Sequence, residues 1–355
     1  MIVGPESGFV AGPRALNHNH PMSSPSPAAP LLTTSSTPLH LVGHFSERFA
    51  GAERELPDLA DCMRGLRETQ LWSDATPHSD YARHGVRAIQ AFGGVFPRGG
   101  TLLLGGVHVR LGPWLAHAGL ARVIVRYNLP NHSLLFHVIE QVRAHTGLEP
   151  ELCFASHALQ RAVGLPGWVE PSLVVLDAFL RDPVERHHAA FTVGRASRDV
   201  LEKHDPADVM IYRMLAARGH RVRIMGGTCL APQLAGVDGI ELLPTGAEPV
   251  PEFFRTLDAM FYRTGTFTEP YGRIVFEAMA SGLPVVASTR GGFAEFMTHD
   301  VDSLLVSTQE EAWQALDRLA TSPELRWSLG MTARQTSQRL HGPALIRAMQ
   351  AFYAS

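Results

Sequence analysis

Lysine is almost missing from this chain: of its 31 basic residues only Lys203 is a lysine. So strong a bias makes the survivor a candidate for a fixed role, against the reading of one surface lysine left by chance. Cysteine is scarce as well. Cys62, Cys153 and Cys229 lie far apart with no C-x-x-C pair, which excludes a disulfide framework and a zinc ribbon and makes a reduced cytoplasm the simplest compartment. No apolar run approaches the ~20 residues that span a bilayer, and the N-terminus lacks the basic region and continuous apolar core of a secretory signal. Peripheral contact with the inner face of the plasma membrane stays open. A net charge of −3 gives no electrostatic reason to expect a nucleic acid partner.

What is present suits a soluble protein of two ordinary domains: 355 residues, 45% apolar and 18% charged. Residues 1–38, rich in Pro, Ser and Thr, read as a tail that buries little. Order is expected from Leu39, where LHLVG reads as a strand leading into a helix with Leu56, Leu59, Cys62 and Met63 on one face. The runs TQLW, VRAIQAF, TLLLGG, RVIVRY and ELCFAS follow as strands, with helices over His132–His145 and from an N-cap at Ser156. Alternating β and α units imply parallel sheets covered on both faces.

The stretch from Phe261 to Val306, FYRTGTFTEPYGRIVFEAMASGLPVVASTRGGFAEFMTHDVDSLLV, carries the chemistry. An apolar run, Leu257–Tyr262, suits a buried strand. Ile274, Val275, Ala278 and Met279 recur with helical period, Gly282 ends that helix, and Leu283–Ala287 reads as the next strand. In a parallel sheet this grammar puts the helix N-terminus at the carboxyl edge, where ligands bind. Main-chain amides of Tyr271, Gly272 and Arg273 would then favour a phosphate. Glu269 in the loop and Glu277 in the helix would accept hydrogen bonds from two different sets of hydroxyls. The bland alternative makes both glutamates solvated surface residues.

The block EPYGRIVFEAMASGLPVVAS, followed by GG and Glu295, resembles the E-x7-E region of the retaining glycosyltransferases of family 4, which have the GT-B fold. That resemblance implies two Rossmann-like domains facing across a cleft: an acceptor domain over 39–172, a nucleotide-sugar domain over 173–335, and a terminal helix, 336–355, packing back on the first. It implies an enzyme moving a sugar from a nucleotide-diphosphate-sugar to an acceptor hydroxyl, a saccharide or lipid-linked saccharide, in polysaccharide, glycolipid or glycoconjugate biosynthesis. Arg195 and Lys203, in AAFTVGRASRDVLEK, fall where the family clamps the diphosphate. Catalysis is thereby expected from Arg195, Lys203 and Glu269. Donor binding is expected from Glu277, Tyr271, Gly272, Arg273 and Gly51, the last standing where the family usually has paired glycines. No cofactor or metal is implied, and the D-x-D of Asp300 and Asp302 reads as a turn. Polar residues just after strands, His44 and Ser46, Gly106 and His108, and Asn128, Asn131 and His132, are acceptor-side candidates. The alternatives are a nucleotide-sugar epimerase, a phosphorylase with pyridoxal phosphate on Lys203, or a non-catalytic nucleotide-binding scaffold.

Overall fold

The computed structural model describes residues 35–47, 51–180 and 190–355; most of the expected tail lies outside them. Two sheets are formed, and every strand pair within them is parallel. The first has β1 (Ser35–Gly43), β2 (Arg67–Ser73), β3 (Arg87–Ala88), β4 (Thr101–Leu104), β5 (Arg122–Tyr127), β6 (Glu151–Phe154) and β7 (Trp168–Val169) in the order β3-β2-β1-β4-β5-β6-β7. The second has β8 (Thr192–Ala196), β9 (Arg221–Met225), β10 (Ile240–Leu243), β11 (Ala259–Tyr262), β12 (Val285–Ser288) and β13 (Leu304–Val306) in the order β10-β9-β8-β11-β12-β13. Strand order reverses between β1 and β4 and between β8 and β11, the switch points at whose carboxyl ends open parallel sheets bind ligands.

The helices in the first lobe are α1 (Gly51–Cys62), α2 (His132–Thr146) and α3 (His157–Val163). Asn131 and Ser156 cap α2 and α3 by accepting from Leu134 and Leu159 amides, which starts both helices where the sequence signals them. The second lobe carries α4 (Asp208–Ala217), α5 (Ala231–Leu234), α6 (Val250–Arg255), α7 (Arg273–Ala280), α8 (Gln309–Thr321) and α9 (Pro323–Leu340). The last helix, α10 (Pro343–Ala354), buries Met349 and Tyr353 in one cluster with Leu39, Leu41 and Leu56 of the first lobe.

Two expectations about strands need revision. The first strand begins at Ser35, not Leu39. Buried Arg67 ties this extension down, donating to the Thr37 carbonyl (2.7 Å) and the Thr101 hydroxyl (2.8 Å). VRAIQAF yields only two strand residues, Arg87–Ala88. The remainder folds into a turn closed by the Gln90–Val95 bridge, with Phe92 fully exposed and Gly94 left-handed.

Buried Arg126 on β5 ion-pairs with Glu55 of α1 and with Glu170, and Glu170 also accepts from the Tyr353 hydroxyl at 3.0 Å. One guanidinium thereby joins α1, the end of the first lobe and α10. A second junction lies between the lobes. His341, between α9 and α10, accepts the Val174 amide on Nδ1 (3.3 Å) and meets the Tyr271 hydroxyl through Nε2 (3.2 Å).

Candidate active site at the carboxyl edge of the second sheet

β8 ends at Ala196 and β11 at Tyr262, and the loops that follow bring Lys203 and Glu269 together. The Lys203 ammonium donates to Glu269 Oε2 at 2.7 Å, and the Tyr262 hydroxyl donates to the same oxygen at 3.1 Å. Phe267 covers the ammonium, its ring centroid 3.5 Å away. Burial lowers the Lys203 pKa, opposed by the Glu269 charge. The chain's single lysine is therefore buried and ion-paired, against the expectation for a tolerated surface residue.

Arg195 requires a correction. Its side chain is fully buried, donating to the main-chain carbonyls of Lys203 (2.6 Å) and Arg263 (2.7 Å) and lying over the Tyr262 ring. With Nη1 and Nη2 both given to carbonyls the guanidinium fixes the backbone that carries Lys203, while its buried Nε has no hydrogen-bond partner. Arg263 is anchored in turn by Asp205 at 2.6 Å and lies 2.9 Å from Asp208 Oδ1, without hydrogen-bond alignment. His204 donates Nε2–H to the Gly226 carbonyl at 2.9 Å, and burial together with Arg195 pushes its pKa down to about 4.

The loop from Glu269 to α7 is held by close backbone approach. Gly272 has φ of +84°, and a β-carbon there would sit 2.7 Å from the Phe293 ring. At Gly292 a β-carbon would lie 1.8 Å from the Pro270 carbonyl, and the Gly292 amide donates to the Glu269 carbonyl at 2.8 Å. Only glycine fits either place. The α7 hydrogen-bond ladder opens with the Val275 amide donating to the Gly272 carbonyl at 2.9 Å, so the amides before it lie at the positive end of the helix dipole. Glu277 is 2% exposed, and its Oε2 has no hydrogen-bond partner. A buried carboxylate oxygen without a partner, as also found at Glu170 and Asp208, has room for a donor from water or a ligand.

Two of the predicted donor residues turn their side chains elsewhere. Tyr271 is buried, stacked on Phe276 and bonded to His341, so only its main chain borders the site. Arg273 reaches across to Asp58 of α1 at 2.8 Å. Glu295 likewise crosses between lobes, accepting from the His157 amide and from Arg161, both at 2.8 Å. Neither crossing was foreseeable, since each joins residues more than a hundred positions apart.

Gly51, expected to bind the donor, is the first residue of α1 in the first lobe. His108 and His132 are exposed, and Asn128 Oδ1 is buried without a partner beside Gly106. Asn131 is spent on capping α2. Asp302 serves its turn, accepting from the Thr298 amide and the Thr336 hydroxyl.

Residues 190–322 match the family model of the glycosyl transferases group 1. The fold is GT-B. It resembles Anabaena HepE, solved with UDP and glucose, at a TM-score of 0.69 and 15% identity, over 88% of this chain and 97% of that one. Sucrose-phosphate synthase from Thermosynechococcus elongatus gives 0.69 and 16%, over 89% and 98%. Among curated proteins, the D-inositol 3-phosphate glycosyltransferase of Saccharomonospora viridis is 35% identical over 108 residues, 29% of this chain and 25% of that protein. The glycosyltransferase YtcC of Bacillus subtilis, itself described as putative, is 31% identical over 97 residues, 26% and 24% of the two chains. The chain thus covers about a quarter of the length of these curated relatives. Among the described residues no helix is long and apolar enough to cross a membrane.

Proposed function

We propose that this protein is a retaining glycosyltransferase that moves a sugar from a nucleoside diphosphate to an acceptor hydroxyl. The observation that carries the reading is the Lys203–Glu269 contact at 2.7 Å, next to an α7 N-terminus and to a Glu277 oxygen without a partner. Cation, unpaired amides and bare carboxylate are what the diphosphate, the sugar and the ribose of one donor require.

In this reading Lys203 and the amides near Gly272 and Arg273 receive the diphosphate, whose negative charge grows as the glycosidic bond breaks. Donor binding draws Lys203 from Glu269, freeing that carboxylate for sugar hydroxyls, while Glu277 accepts from the ribose. Arg195 acts through Lys203 as a positioning residue. The leaving phosphate oxygen takes the acceptor proton on the sugar face it has just left, which gives retention without a protein nucleophile. Lys203 and the helix dipole supply the positive charge that a metal would otherwise bring. Lobe closure excludes water, which would compete as acceptor.

UDP and UDP-glucose occupy the solved HepE neighbours, so uridine donors are the first to test. Thermal stabilisation by UDP-glucose, followed by labelled-sugar transfer and NMR of the product anomer, tests the proposal. A scaffold would bind UDP-glucose without turnover; inversion at the anomeric carbon would reject retention.

A further inference from the structure

β1 and β2 end in register, Gly43 opposite Ser73, so the next residues, His44 and Asp74, leave the first sheet side by side at its carboxyl edge. Their contact is short: His44 Nδ1 lies 2.6 Å from Asp74 Oδ1. The Asp74 side chain is 1% exposed, and its other oxygen accepts the Arg110 amide. A carboxylate only accepts, so Nδ1 is the donor in this contact, and in the neutral ring Nε2 keeps the lone pair. The imidazole itself is 30% exposed.

The segment bearing this ring is strained and hydrogen-bonded on both sides. Phe45 has φ of +44°, a left-handed conformation that costs a bulky residue about 1 kcal/mol or more. Its buried ring packs edge-on against Tyr81 at 4.9 Å. Ser73 Oγ donates to the His44 carbonyl (2.7 Å) and the His78 amide to the Phe45 carbonyl (2.8 Å). These contacts fix where Nε2 points. Among the described residues His108 and His132 have no carboxylate partner of this kind.

The surroundings are acidic. Glu53, in the first turn of α1, has its pKa raised by burial, and the carboxylates of Glu47 and Asp74 push it the same way. Farther along the same helix, about 10 Å from its start at 1.5 Å per residue, Asp58 holds Arg273 at the beginning of α7. The His44 segment thus leads into the helix that touches the donor loop.

We propose that His44, oriented by Asp74, is a positioning residue that accepts a hydrogen bond from a hydroxyl of an uncharged sugar or polyol acceptor. The flanking carboxylates disfavour a phosphorylated one. The proton of the attacking hydroxyl still leaves on the phosphate oxygen. This inference rests on the glycosyltransferase reading.

The test is transfer of labelled glucose from UDP-glucose to glucose, galactose, mannose, N-acetylglucosamine and myo-inositol, each beside its monophosphate. Wild type is expected to use an unphosphorylated acceptor. His44→Ala should raise the acceptor KM or lower kcat/KM about tenfold, while UDP affinity stays at the wild-type value. Asp74→Asn should do the same, because an amide donor facing Nδ1 forces the proton onto Nε2. His44→Gln, whose amide oxygen reaches the Nε2 position, should recover part of the loss. Unchanged acceptor kinetics in both His44→Ala and Asp74→Asn, loss of UDP affinity together with transfer, or transfer by wild type only to the monophosphates or to none of the panel, would each overturn the inference. A wild type that fails to bind UDP-glucose or any other nucleotide sugar removes the donor reading instead.

Discussion

Tyr271 and His341 share a hydrogen bond of 3.2 Å where the chain passes between lobes. Because the Val174 amide occupies Nδ1, the imidazole is neutral with its proton on Nε2, donating to the tyrosine oxygen. The residue next to Gly272 is thereby tied to both inter-lobe passages of the chain. Replacing Tyr271 by Phe leaves a buried N–H without an acceptor, at a cost of about 1–3 kcal/mol. Denaturant unfolding should show that loss.

His341 also makes stability depend on pH. Burial first, and then the Arg273 charge, push its pKa down to about 3 from 6.5. A folded pKa below the unfolded one means that the unfolded chain takes up the proton first. Stability is therefore intact above pH 6.5 and falls as the pH drops towards 3, at about 1.4 kcal/mol per unit, or about 2 kcal/mol by pH 5. Asp208, raised to about 7 by burial, titrates in the opposite sense, so the quantity to measure is the difference between wild type and His341→Gln. That difference should shrink on acidification; a constant gap from pH 7 to 5 would contradict a buried neutral imidazole.

Lys203→Ala should lower the transfer rate about a hundredfold, the effect of losing one preorganised charge donor. Glu269→Gln should impair turnover while retaining UDP affinity, since the carboxylate faces the sugar in the proposed complex. Steady-state kinetics paired with UDP titration separates the two.

Arg195→Leu is expected to act on the fold before it acts on the ligand. It strands the carbonyls of Lys203 and Arg263, each worth about 1–3 kcal/mol when buried and unpaired. A lower melting temperature should accompany weaker UDP binding. Full thermal stability with abolished UDP binding would instead return Arg195 to the diphosphate.

Arg273→Ala should cost more stability than Asp58→Ala. Asp58 has its pKa raised by burial against the pull of Arg273, whereas Arg273 faces the charges of Asp58, Glu55 and Glu277 together. A double-mutant cycle read by denaturant unfolding gives the coupling across the lobes.

The order of strands and helices was legible in the chain because parallel strands buried on both faces are largely apolar runs, as VVAS is, and because Ser156 stands at a helix start where its side chain caps. The glutamate-bearing loop was legible for the same local reason: Gly272 and Gly292 stand where no side chain fits. Where the side chains point was not. Arg195 looked like a free cation until the fold enclosed it between two carbonyls, and Arg273 and Glu295 left the loop for the other lobe. Asp74 gave no signal at all, since it meets His44 only through the register of two strands. Local sequence sets backbone conformation by sterics and burial period; the partner of a charge is set by which distant segment the packing brings within about 3 Å, and that belongs to the tertiary structure alone.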